Sequence, residues 1–148
     1  NTFDYYNIHI SEENLGIIAK CVCSHEVGHI LDESISNNKW EHSQILTDII
    51  EKMIYYNVDI SQDDYYKNNL PKDLEESVVT FKKNLIKRES IAWEIAKTIM
   101  NFKNENEKFL FSKIREYALA TYNYGDLKTI VKENNLEVFF KYKRYFVW

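Results

Sequence analysis

The chain has 148 residues, 45% of them hydrophobic and 28% charged, with only three Gly and one Pro. That length suits a single domain spanning residues 1–148, and that composition excludes a disordered or fibrous chain and fits a helix-rich globular protein. The formal net charge of -4 leaves no general basic footprint, so nucleic acid is not the expected partner.

The most apolar stretch, Ile17 to Val22, is short and interrupted by Lys20, far below the roughly 20 apolar residues that span a bilayer. No membrane partner is therefore expected. The chain opens without a basic, apolar, small-residue signal pattern. Its two cysteines, Cys21 and Cys23, point to different sides of a helix and cannot pair with each other. A reducing, cytoplasmic setting is the expectation.

In chain order, Tyr6, Ile8 and Ile10 alternate with polar residues and predict a short half-buried strand that ends at Ser11, a natural helix N-cap. From Glu12 to about Glu33 there is no Pro, the first turn is acidic, and Leu15, Ile17, Ile18, Val22, Val27, Ile30 and Leu31 spread around the axis, which predicts a helix buried on almost every side. After a polar break at Asn37-Asn38, the segment Trp40 to Tyr56 carries Ile45, Ile49, Ile50, Met53 and Ile54 at helical spacing. Asn57 to Leu70 is polar, and Pro71 suits the first turn of a third helix through Val78, Val79, Phe81, Leu85 and Ile86.

The period continues in Glu89 to Met100 and again in Phe109 to Tyr122, read as two further helices, before Gly125-Asp126 marks a turn and a new cap. The tail from Leu136 to Trp148 reads as a strand or a last helix, and the pattern does not separate the two. The expected class is mainly α: one central helix, several helices packed on it, and a short N-terminal strand or small sheet.

The chemistry concentrates in His25-Glu26-Val27-Gly28-His29. Residues four apart on a helix differ by only about 40° in direction and one turn in height, so both imidazoles can clamp one tetrahedral zinc. Glu26 is rotated about 100° from His25 and points beside the metal, where a general base belongs. Three protein ligands leave a fourth position for water, whose pKa the cation lowers to about 7. Glu26 can take its proton for attack on a peptide carbonyl and pass it to the leaving amine.

Two histidines and a Glu in a buried helix are costly without such a partner. The competing reading has His25 and His29 hydrogen-bonded in the ordinary way and Glu26 paired with a Lys. Gly28, which costs roughly 1 kcal/mol inside a helix, hints at close backbone packing there.

Candidates for the third ligand are His42, Glu89, Glu94, Asp32 and the cysteines. Glu89 heads the apolar stripe of Ala92, Trp93, Ala96 and Ile99, whereas Glu94 lies with Lys87, Ser90, Lys97 and Asn101 on the polar side. The plain alternative for Glu89 is a first-turn carboxylate in a salt bridge. Asp32 is either an orienting partner of a ligand histidine or an ordinary helix-end carboxylate.

At these residues the chain resembles the ImmA/IrrE family of zinc metallopeptidases, with H-E-x-G-H on one helix and E-x-x-A-x-x-x-A on a later one. The first motif is His25 to His29 and the second is Glu89-Ser90-Ile91-Ala92-Trp93-Glu94-Ile95-Ala96. The resemblance implies an α+β zincin-like fold, Zn2+ as cofactor, Glu89 as third ligand beside His25 and His29, and Glu26 as catalytic base. It further implies a bacterial or phage setting and a protein or peptide substrate of the transcriptional-regulator kind. Trp93 stands where many members have Asn, and Asn101 where Pro is usual, so this chain looks like a divergent relative. His25 to Asp32 is also similar to the H-E-x-G-H-x-x-D pattern of secreted toxin peptidases related to lethal factor.

Two other functions compete with a peptidase. A peptidase-derived module could bind a protein partner and use zinc only for structure, but an intact Glu26 has no place in a closed structural site. The tail, with Lys141, Lys143 and Arg144 among aromatics, could stack on nucleic-acid bases, or pack its aromatics into the core with the charges outward.

Overall fold

Ser11 starts the first helix as the sequence expects, its Oγ accepting a hydrogen bond from the Asn14 backbone N–H at 3.1 Å. The computed structural model describes residues 11–59, 70–123 and 125–141, and the expected strand at Tyr6 to Ile10 lies outside them. The described elements are α1 (Glu12–Leu31), α2 (Ile35–Tyr55), α3 (Lys72–Met100), α4 (Glu105–Thr121), α5 (Leu127–Glu133) and α6 (Glu137–Lys141). The class is mainly α, with no strand among the described residues. No helix among them is long and apolar enough to cross a membrane.

Three boundaries differ from the sequence reading, one of them the start of α4, which begins at Glu105 and not Phe109 because Asn104 caps it. The polar break at Asn37-Asn38 lies inside α2. The helix starts earlier because Asp32 Oδ1 accepts from both the N–H and the hydroxyl of Ser34, at 2.8 and 2.6 Å. Asn38 then donates to Ser34 Oγ at 2.8 Å. The two helices read on either side of Glu89 are one helix, α3, since nothing between Lys72 and Met100 is a Gly or Pro and propagation costs less than a fresh nucleus. In the tail, the described part is helical as far as Lys141.

Asparagines stop the helices. Asn57 and Asn135 sit in the left-handed region at φ 51° and 54°. The backbone then closes in Schellman fashion: Val58 donates to Met53 and Leu136 to Val131, at 3.0 and 2.9 Å. Asn101, at φ 47°, follows the last residue of α3 in the same conformation.

The chain divides into two compact units, one of residues 1–38 and 85–123, the other of residues 39–84 and 124–148. In the first, α1 packs on α4 around Ile17, Cys21, Trp93, Ala96, Met100, Leu110, Phe111 and Ile114. The buried Ser24 hydroxyl is satisfied inside this core, donating to Met100 Sδ at 3.3 Å. The second unit buries Ile49, Met53, Leu74, Phe81, Leu127 and Val131.

The expectation that α1 is buried on almost every side is corrected. Only the stripe of Ile17, Cys21, Ser24, His25 and Gly28 is buried, while Leu15, Val22, Ile30 and Leu31 are 45–78% exposed among the described residues. Apolar residues all round an axis are equally compatible with burial on one face, and here one face is buried.

Candidate metal centre

The approach of α1 to α3 is set at Gly28. A Cβ there would lie 3.0 Å from the carbonyl carbon of Ala92 and 3.2 Å from its Cα, and closer still to its carbonyl oxygen. Only glycine lets the helices come this near, and Ala92 and Ala96, both fully buried, keep the facing side small. That contact sets Glu89 of α3 opposite His25 and His29 of α1.

The three side chains converge. Nε2 of His25 lies 2.9 Å and Nε2 of His29 3.2 Å from the same oxygen, Oε2 of Glu89. All three ligand atoms lie within 4.8 Å of one another. A tetrahedral zinc with bonds of roughly 2.0–2.2 Å holds its ligand atoms about 3.3–3.5 Å apart, so the cluster is slightly tighter than a loaded site and of the right size. The two imidazoles are set at a steep angle, with centroids 4.6 Å apart and planes at 66°, so that they converge without stacking.

One atom separates this arrangement from an ordinary histidine–carboxylate pair. His29 makes a hydrogen-bond contact with Glu89. His25 Nε2 is as close to the same oxygen, an ion-pair contact that lacks hydrogen-bond geometry, and it has no hydrogen-bond partner among the described residues. Two ring nitrogens thus crowd a single carboxylate oxygen, and a cation between the three atoms would draw on all of them. The donor set of two imidazoles and one carboxylate suits Zn2+.

Glu26 leaves the core, as its place on the helix requires. Its side chain is 68% exposed, and Oε1 is 3.7 Å from Nδ1 of His25, the ring nitrogen that does not face Glu89. Burial pushes the Glu89 carboxyl up. The close approach of His25, the charges of His29 and His25, and a hydrogen bond from Tyr122 outweigh that, so Glu89 sits below the ordinary carboxylate range. Glu89 is thus held as the anion that a metal ligand must be.

The other candidates lie elsewhere. Asp32 caps α2 through Ser34. Glu94 is exposed and paired with Arg115 of α4. His42 belongs to the second unit, where Nδ1 is 3.2 Å from Asn84 Oδ1 and the ring packs on Phe81. Cys21 is buried in the core and Cys23 is exposed, and neither joins the cluster.

Two neighbours of the cluster were not singled out from the sequence as site residues. Tyr122 hydrogen-bonds Glu89, and nothing in the sequence distinguishes it from ten other tyrosines. Trp93 stacks on His25 with centroids 4.3 Å apart and planes at 13°. Its signal was available, since it lies one helical turn after Glu89 on the same stripe.

Compared with known protein families, curated proteins and solved structures, the chain has no match to any family model, to any curated protein or to any solved structure.

Proposed function

We propose that this chain is a zinc-dependent metallopeptidase in which His25, His29 and Glu89 hold the metal and Glu26 is the general base. The observation that carries the reading is the convergence of His25 Nε2, His29 Nε2 and a Glu89 carboxylate oxygen, contributed by two helices and all within 4.8 Å of one another. Zinc held there supplies Lewis acidity, polarising a carbonyl and lowering the pKa of water.

The protein residues divide the remaining work. Glu89, kept ionised, and the two imidazoles provide the donor atoms. Glu26, exposed and one residue along from His25, takes a proton from water at its carboxylate and returns it to the leaving amine. A structural site would need neither the exposure nor the base. A protein or peptide is the substrate class, and a transcriptional regulator is the kind of protein that the motif resemblance brings to the first substrate trial.

Metal content tests the reading. Wild type and Glu26→Gln are expected to retain about one zinc per chain, while His29→Ala and Glu89→Ala lose it. Among loaded proteins, Glu26→Gln alone should lack peptide hydrolysis. A wild-type protein that binds no zinc would sink the peptidase reading in favour of a partner-binding module.

A further inference from the structure

We infer that Trp93 is a positioning residue of the metal centre, a platform that fixes the plane of the His25 imidazole and favours its metal-bound form; this rests on the metallopeptidase reading. Trp93 is 2% exposed and stands one turn after Glu89 on α3. A single helix therefore holds His25 at two points, the carboxylate at Nε2 and the indole under the ring face. Phe111 of α4 braces the indole from the other direction, edge to face at 5.4 Å, and is itself backed by Phe102.

The indole Nε1 is buried and has no hydrogen-bond partner among the described residues. Buried tryptophans usually satisfy that N–H, and leaving it bare is costly. A leucine would bring no polar atom to desolvate, though it fills less of the core. Trp93 therefore is not placed for its hydrogen bond. Beyond volume, what it offers that leucine does not is a π face, set 13° from parallel to the imidazole at 4.3 Å. An imidazole bound to a cation loses electron density, and the negative face of an indole favours such a ring over the neutral one. The same stack keeps Nε2 aimed at Glu89, as partners of metal-bound histidines generally do.

The test compares wild type, Trp93→Phe and Trp93→Leu for zinc affinity by competition with a chromophoric chelator, with the melting temperature of each metal-free protein alongside. Leucine should loosen zinc about tenfold, and phenylalanine, which keeps a π face, should restore most of it. The visible spectrum of the Co2+-loaded protein should change in Trp93→Leu and return in Trp93→Phe. Should Trp93→Leu not fold, quenching of tryptophan emission by Cu2+ decides, since part of the quench must vanish in Trp93→Phe. Equal zinc affinity in all three proteins, or a quench that Trp93→Phe leaves intact, overturns the platform role. Absence of zinc binding by wild type is a different result, because it removes the metal reading itself and the platform with it.

Discussion

Gly28 and Ala92 are in backbone contact across α1 and α3, and this contact brings His25 and His29 to Glu89. A methyl at position 28 would meet the Ala92 main chain, which cannot rotate aside as a side chain could. Gly28→Ala gains helix propensity of about 1 kcal/mol but forces the helices apart, and overpacking of this kind costs about 1–3 kcal/mol. The expected result is a lower melting temperature, and a zinc affinity that falls further than stability does because separation of the helices stretches the ligand cluster.

Gly16 on the same helix is the counterpart. Nothing lies within 4 Å of a Cβ built there and the residue is exposed. Gly16→Ala should raise stability by about 0.5–1 kcal/mol through helix propensity alone, with zinc affinity unchanged. Opposite signs of melting-temperature change for two Gly→Ala substitutions twelve positions apart would establish that Gly28 is held by packing and not by backbone freedom.

Much of the cluster was readable before the fold because its members follow helix geometry. His25 and His29 share a face by spacing, and Glu89 stands out as a carboxylate heading an apolar stripe. Tyr122 and the stack of Trp93 on His25 depend on which helices meet, and no local pattern encodes that. The element boundaries failed for the same kind of reason. Asn38 looked like a break, but in the first turn of α2 its side-chain amide donates to the Ser34 hydroxyl and the backbone runs on as helix. The apolar scatter on α1 suggested burial all round because period alone does not reveal how many neighbours a helix has.

Tyr122 hydrogen-bonds the Glu89 carboxylate, so Tyr122→Phe removes one hydrogen bond from Glu89 and leaves the ring. Loss of such a partner commonly weakens metal binding about 10–100-fold. Zinc competition should show a change in that range, at its lower end since Tyr122 is only half-buried. The circular-dichroism spectrum should not change. An affinity equal to wild type would reduce Tyr122 to a helix-end residue.

Cys21 and Cys23 should differ in reactivity although they are two positions apart. Burial, and next the charge of Glu107, push the Cys21 thiol up to about 11, so its thiolate is scarce at about pH 8. Cys23 is exposed. Ellman titration of the native protein should count a single fast thiol, both thiols should react in urea, and native Cys23→Ser should give no fast phase.

Asp48 gives the second unit a dependence on acid. Partial burial raises its carboxyl, but hydrogen bonds with Lys52 and Ser77 and the Lys52 charge outweigh that and hold it below 3.8. Lys52 Nζ is 2.8 Å from Asp48 Oδ2 and 2.7 Å from Ser77 Oγ, and the Ser77 hydroxyl also donates to Asp48. A carboxyl with a lower pKa folded than unfolded binds fewer protons in the native state. Its contribution is therefore complete above the unfolded pKa of about 4 and is lost as pH falls through the lower folded value. The melting temperature should decline from about pH 5 downward, and Asp48→Asn should flatten that decline while lowering stability at neutral pH. Since nearly half of the Asp48 side chain is exposed, solvent screening keeps the effect small. A decline of the same steepness in Asp48→Asn would assign the acid response to other carboxylates.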